Sequence, residues 1–329
     1  MVELLGNSNS INYYENINNM LEIAGRCCYL SYDKIKPGSA GKFITNVIKT
    51  KKHESVAGHA YFNITILTKT NEIAYELAYK LFDISNGNIQ LYVNNRRLLL
   101  GVNWRSIKQM LDSENEIGLW LYWYLRQHIN NILFYDVNAD FFKPSVDFYK
   151  NLGIVFTGFN PDLSEFTDKI QKRFSTATFK FSGYNRTFSH QLIRHMGVGL
   201  KNVYSEMSQR YVDPTIKNNK DLYSVPLPVQ DTELEQQFHN DMKDAVENYQ
   251  LWLGYMKDFK KENPNADFAK PGEVARDILP NAINTEIAVT MTLESWQHFI
   301  KLRTDKNAQY HIRDAANKTK IILKKEGLL

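Results

Sequence analysis

Cysteine is almost absent from this chain: two occur in 329 residues, adjacent at Cys27 and Cys28. Neighbouring cysteines rarely bridge because the geometry is strained, so no disulfide framework is available and both read as buried thiols. A nucleophilic role is the alternative, and neither cysteine lies near the ligand-binding stretch described below in sequence. No uninterrupted apolar run is long enough to cross a bilayer, and the opening MVELLGNSNS lacks the basic and apolar regions of a signal peptide. A cytoplasmic setting with no membrane partner is expected. Neither G-x-G-x-x-G nor a Walker pattern occurs, so no Rossmann-type nicotinamide domain is expected. There is no C-x-x-C or H-E-x-x-H, and His53 and His59 stand six apart with nothing to complete a shell, so no metal is expected. Nor does one sign of charge dominate. Forty basic against thirty-six acidic side chains leave +4, too little for a nucleic-acid partner.

What is present suffices for a sizeable core, since 43% of the residues are apolar. Periodicity predicts a helix from about residue 41 through Phe43, Val47 and Ile48, a strand over Tyr61–Leu67, a helix over Glu72–Phe82 and a strand over Ile89–Val93. A long amphipathic helix follows Phe238, Met242, Ala245, Tyr249, Leu253 and Met256 and stops near Asn263-Pro264, its stripe facing either the sheet or another subunit. The pattern is α+β. Residues 103–172 hold an aromatic-rich helix around Leu119, Trp120, Trp123 and Tyr124, read as packing, and a loop through Pro144 and Pro161.

The densest chemistry lies in His190–Tyr211, HQLIRHMGVGLKNVYSEMSQRY. Phe179–Gly183 reads as a strand and Arg186–His195 as a helix, on which Gln191, Arg194 and His195 can share one face. Glu206, Ser208 and Arg210 alternate, which in an extended loop aims them the same way. Guanidinium, hydroxyl and amide groups together suit a phosphate and a base edge. Surface salt bridges are the plain alternative.

This stretch resembles the signature of the flavin-dependent thymidylate synthases, a Gln-x-x-Arg-His-Arg helix followed by Glu-x-Ser-x-Arg-Tyr. Gln191, Arg194, His195, Glu206, Ser208, Arg210 and Tyr211 match. Met196 replaces the third residue of the triplet, and eleven residues separate it from Ser208 where the family has seven. Other pieces stand in the family's order. Arg26-Cys27-Cys28-Tyr29 and His53-Glu54-Ser55-Val56-Ala57-Gly58-His59 resemble its N-terminal elements, with Gly58 in place of a glutamate. Asn95-Arg96-Arg97 resembles its Asn-x-Arg, and Ala275-Arg276-Asp277-Ile278-Leu279-Pro280 its Ala-Arg-x-x-Leu-Pro turn. The segments His298–Arg303 and Ala308–Arg313 are similar to the pieces that close its domain.

The resemblance implies a single thymidylate synthase-like domain over 1–329, a mixed or antiparallel sheet with flanking helices, enlarged by a helical insertion at about 103–172. It implies methylation of deoxyuridine monophosphate (dUMP) at C5, with methylenetetrahydrofolate as carbon donor, FAD as cofactor and NADPH as reductant, in a homotetramer with shared active sites. Carried over by position, the dUMP residues are Gln191, Arg194, Glu206, Ser208, Gln209, Arg210, Arg276 and Arg303, with Arg276 reaching over from a neighbouring subunit. The FAD residues are Ser55, Arg194, His195, Met196, Glu206, Thr292, Glu294 and His298. Arg303, Ser208 and Glu206 are the catalytic candidates.

Arg303 has an argument of its own. Trp296, Phe299, Ile300 and Arg303 fall at i, i+3, i+4 and i+7, so its guanidinium leaves the helix on the apolar face and needs a partner. Asp305 or Asp314 is the structural candidate. The departures at Met196, Gly58 and Glu294, where the family has Asn-x-Arg, gather on the flavin and folate side. The expectation is retained pyrimidine binding with retuned cofactor binding, the loop from Gly197 to Lys201 reshaping that side. Two alternatives stay open: a C5-modifying enzyme of the same scaffold that leaves a hydroxymethyl group, and a catalytically silent nucleotide-binding homologue.

Overall fold

The computed structural model describes residues 1–51, 53–113, 115–129, 145–197, 200–215 and 222–329. Pro144, part of the 103–172 segment, and two residues of the 197–201 loop lie outside them.

The chain opens with β1 (Val2–Asn7), α1 (Tyr13–Cys27), α2 (Ser39–Phe43), which runs on as a π-helix over Ile44–Thr50, and α3 (Glu54–Ala57). It continues through β2 (Tyr61–Thr68), α4 (Asn71–Ile84), the hairpin β3 (Gln90–Asn94) and β4 (Arg97–Asn103), α5 (Trp104–Asp112), α6 (Glu116–His128), α7 (Val146–Asn151), β5 (Ile154–Phe159) and α8 (Asp168–Phe174). The remainder comprises β6 (Thr176–Asn185), α9 (Arg186–Leu192), β7 (Val203–Glu206), α10 (Leu234–Glu262), α11 (Gly272–Ala275), β8 (Asn284–Thr292), α12 (Leu293–Arg303) and α13 (Tyr310–Lys325).

The architecture is α+β, with two four-stranded sheets ordered β1-β6-β8-β7 and β3-β4-β2-β5. Every described pairing is antiparallel. On one face of the first sheet Phe179, Phe181, Ile287 and Val289 pack against Phe188 of α9, Trp296 and Phe299 of α12 and Ile312 of α13. Each of these rings is worth up to about 3 kcal/mol relative to exposure. The second sheet buries Ile64, Ile66, Leu98 and Leu100 with Leu77 and Leu81 of α4 and Trp120 and Leu121 of α6. Trp120 and Tyr124 are thus packing residues, and β5, from the segment read as a loop, extends this sheet through its pairing with β2.

The other face of the first sheet is polar. His59 sits fully buried against it, its Nδ1 2.7 Å from Thr290 Oγ1 and its Nε2 2.9 Å from Ser205 Oγ. A buried imidazole with neutral partners has no counter-ion, and burial lowers its pKa to about 3.

The hydrogen-bond pattern that places the site starts at the strand ends. Asn185 caps α9 by accepting from the Phe188 N–H at 3.2 Å, so the helix begins at Arg186 beside the end of β7. Thr292 caps α12 in the same way, accepting from the Ser295 N–H at 3.1 Å. α9 and α12 follow antiparallel neighbours, β6 and β8, and so start from opposite ends of the sheet.

Candidate functional site

A cleft of about 330 Å³ opens where α9, the chain after β7 and the turn after α11 meet. Arg186, His190, Ser208, Gln209, Arg276 and Pro280 are among its lining residues. Arg186 and His190 are four apart and therefore on one helical face.

Arg186 is the most constrained of these groups. Its Nη1 lies 2.9 Å from Glu206 Oε1 and its Nη2 donates to the Met207 carbonyl at 3.0 Å, while Nε is buried with no partner among the described residues. Burial lowers its pKa from the usual guanidinium value, Glu206 opposes that, and Arg276 adds to it. Glu206 offsets Arg186, and Asp277 lines the cleft beside Arg276, so charges of both signs face it; the unpartnered Nε of Arg186 and the Arg276 guanidinium are the donors it offers an anion.

Glu206, the last residue of β7, also accepts from Thr285 Oγ1 at 2.9 Å. Beyond it the strand pattern breaks. The N–H groups of Tyr211 and Val212 donate to the Ser208 carbonyl at 3.1 and 2.9 Å, so Ser208–Val212 is a turn. Glu206, Ser208 and Arg210 therefore do not point the same way: Ser208 lines the cleft and Arg210, exposed, pairs with Glu273. The turn rests on Gly272, where an added Cβ would stand 2.9 Å from the Gln209 carbonyl oxygen. It is also tied to Cys28, whose carbonyl accepts from the Ser208 N–H at 3.0 Å. Distance in sequence had set Cys28 apart from this region, yet it is adjacent in space. Its thiol is pushed up to about 11, chiefly by burial, and that of Cys27 is raised well above its usual value for the same reason. Neither is poised as a thiolate.

The helix predicted through His195 ends at Leu192. The expected shared face is lost with it: Arg194 is exposed, His195 is buried, and Gln191 does not line the cleft. Beyond the helix end the His195 carbonyl is held from farther along the chain, accepting from Tyr204 Oη at 2.5 Å and Asn202 Nδ2 at 2.6 Å. The imidazole stands edge-on to Phe299 with ring centres 5.1 Å apart, and Nε2 accepts from Arg303 Nε at 2.9 Å. Arg303 thus pairs with neither Asp305 nor Asp314; the latter accepts from Tyr184 and Lys318. Desolvation first, then Arg303 and His298, lower the His195 pKa to about 4.

The FAD candidates divide. Ser55, Arg194, Met196 and His298 are exposed, and His298 lies 6.5 Å from His195 ring to ring. Thr292 is spent capping α12, and Glu294 forms a two-point ion pair with Arg173 at 3.0 and 3.2 Å. Within one chain these residues do not form one pocket. Of the candidates, His195 and His298 stand near each other, while Thr292 and Glu294 are engaged elsewhere. At Gly58 an added Cβ would meet Val203 at 3.2 Å and the Ser55 carbonyl at 3.2 Å, so a side chain there requires its neighbours to give by a few tenths of an ångström.

Arg186 and His190 were not singled out as site residues from sequence. Their i,i+4 spacing just after the Asn185 cap is the signal that points to them.

Residues 173–326 match the family model described as thymidylate synthase complementing protein. Arg194, Ser208, Arg276 and Arg303 fall inside that span; the elements from Arg26 to Arg97 fall before it. The flavin-dependent thymidylate synthase of Pyrococcus furiosus is 33% identical over 143 residues, covering 43% of this chain and 52% of that protein. The enzyme of the same name from Geobacter sulfurreducens is 34% identical over 163 residues, covering 47% of this chain and 62% of its own length. The chain thus spans about half the length of the first of these relatives. A crystal structure of thymidylate synthase X from Helicobacter pylori with FAD and dUMP aligns at 19% identity over 44% of this chain and 65% of that one, with a TM-score of 0.32, too low to support any argument about arrangement.

Proposed function

We propose that this chain is a flavin-dependent thymidylate synthase, which methylates dUMP at C5 with methylenetetrahydrofolate as carbon donor, FAD as cofactor and NADPH as a transiently bound reductant. The observation that carries the reading is the cleft that brings Arg186, Ser208 and Arg276 together, with Asp277 also on its wall, set within the residues that match the family.

In this reading the phosphate of dUMP lies between the Ser208 hydroxyl and Arg276 of the same chain, which share one cleft, rather than taking Arg276 from a neighbouring subunit, and charge-assisted hydrogen bonds hold it. Arg303 supplies its Nη groups to the pyrimidine, stabilising negative charge on the ring as C5 becomes nucleophilic. Glu206, held by Arg186 and Thr285, is positioned as acceptor for a ribose hydroxyl. FAD would supply the hydride that completes the methyl group, and the exposed Arg194 and His298 are the residues that would hold it. Assembly into a homotetramer fits α10, whose Leu251, Trp252, Tyr255 and Phe259 are exposed while Met242 and Tyr249 are buried. The description as one domain over 1–329 with an insertion at 103–172 belongs to the same proposal; the family match, over 173–326, lies after both the insertion and the N-terminal elements. No helix among the described residues is long and apolar enough to cross a membrane.

A second reading draws on Glu294 and Gly58. With Glu294 tied to Arg173 and Gly58 packed closely on Val203, the cofactor side differs from the family pattern while Arg186, Ser208 and Arg276 still meet at the nucleotide cleft. An enzyme of this kind releases a hydroxymethylated nucleotide when water intercepts the intermediate. Mass analysis of the product from dUMP, methylenetetrahydrofolate, FAD and NADPH separates the two. A methyl product supports the first reading, a hydroxymethyl product the second, and unmodified dUMP from a flavin-loaded protein contradicts both.

A further inference from the structure

Arg303 Nε donates to His195 Nε2 at 2.9 Å, and neither Nη of Arg303 has a hydrogen-bond or ion-pair partner among the described residues. A guanidinium has five donors and no acceptor, so the imidazole nitrogen facing it must carry the lone pair. That fixes His195 as the neutral tautomer protonated at Nδ1. Tyr204 and Asn202 fix the backbone that carries the ring by binding its carbonyl, and the ring itself is packed edge-on against Phe299. Among the described residues no carboxylate engages Arg303, which is unusual for a half-buried arginine, so none of them neutralises its charge.

We propose that His195 is a positioning residue for Arg303: as a neutral acceptor it takes up Nε and leaves the two Nη groups together as a fork aimed at an anionic edge of the ligand. A carboxylate in the same place would neutralise the guanidinium and weaken its pull on that ligand. A neutral imidazole orients it without doing so. The assignment deepens the reading above, since the ligand edge in question is the pyrimidine of dUMP, where a fork with full charge favours the ring anion. His298 and Arg303 are the cationic groups that face His195, and both oppose its protonation.

The test is a double-mutant cycle on dUMP affinity, measured by calorimetry on the full-length protein. His195→Phe keeps ring volume and removes the acceptor; it is expected to weaken dUMP binding roughly tenfold, the scale of one hydrogen bond to a charged group. In an Arg303→Ala background the same change is expected to have no further effect, because nothing remains to position. His195→Gln, which offers a side-chain carbonyl to Nε, is expected to restore most of the affinity. Additive losses in the cycle, or a glutamine variant as weak as the phenylalanine one, overturn the assignment. A second readout needs no ligand. Nitrogen NMR of His195 should show Nε2 unprotonated at neutral pH, with a shift that changes in Arg303→Ala. A protonated Nε2, or a signal indifferent to Arg303, also overturns the proposal. If the wild-type protein binds no dUMP, the functional reading fails, and the NMR result still decides whether His195 holds Arg303.

Discussion

Arg186 opens α9 and reaches the final residue of β7, its Nη1 standing 2.9 Å from Oε1 of Glu206. The two side chains are only 17% and 22% exposed, so water competes weakly for either. Removing one partner leaves the other charge partly buried, the costly half of a broken pair. Arg186→Gln is therefore expected to lower stability by about 2 kcal/mol in urea denaturation. It should also weaken phosphate-bearing ligands, since the cleft loses one of its guanidiniums. Unchanged stability and affinity together would show that the pair does neither job.

Two glycines give opposite expectations. At Gly272 an added Cβ meets the Gln209 carbonyl oxygen at 2.9 Å, a backbone atom that cannot swing aside, so Gly272→Ala should displace the Ser208–Val212 turn and cost roughly 1–3 kcal/mol. Gly254, inside α10, has nothing within 4 Å of an added Cβ. Gly254→Ala should stabilise by about 0.5–1 kcal/mol through helix propensity. Thermal melts of both variants check the signs.

The stability of the fold should fall in acid from about pH 6.5. His195 is lowered from 6.5 to about 4 and His59 from 6.5 to about 3, both chiefly by burial. For a group with a depressed folded pKa, the unfolded chain takes up the proton first. The contribution is complete above the unfolded value of 6.5 and is lost as pH falls through the folded values. Urea midpoints measured from pH 7.5 to 4 should decline, and His59→Gln should flatten part of the decline. A midpoint independent of pH across this window contradicts the buried neutral assignment of both histidines.

Cys28 should behave as a structural thiol. With its proton held to about pH 11, it should react slowly with iodoacetamide at pH 8 in the folded protein. Cys28→Ala keeps the carbonyl that accepts from Ser208 and is expected to keep its turnover. Loss of activity with an unaltered melting temperature would reinstate the nucleophile alternative.

How much was legible in the sequence follows from what sets each element. The strands at Tyr61 and Ile89 and the helices at Glu72 and Phe238 announce themselves because their burial is periodic, and β2, β3, α4 and α10 appear within a few residues of the expected bounds. β5 does not: Val155 and Phe156 are exposed, so the strand has little alternation to read, and only pairing with β2 defines it. α9 ends at Leu192 although the local pattern runs on to His195; the backbone there is held instead by Asn202 and Tyr204, from the chain beyond the loop. Ion pairs between distant segments, such as Arg173 with Glu294, leave no periodic trace at all.

The central claim is that a cleft built by Arg186, Ser208 and Arg276 takes the phosphate of dUMP. Calorimetric titration with dUMP and with deoxyuridine, in wild type and Arg276→Ala, tests it most directly. The account predicts that wild type prefers dUMP by about 100-fold or more, as two or three charge-assisted contacts to a phosphate imply, and that Arg276→Ala loses roughly tenfold in dUMP affinity with deoxyuridine binding unchanged. Equal affinity for the two ligands, or an Arg276→Ala variant that binds dUMP as tightly as wild type, would contradict it.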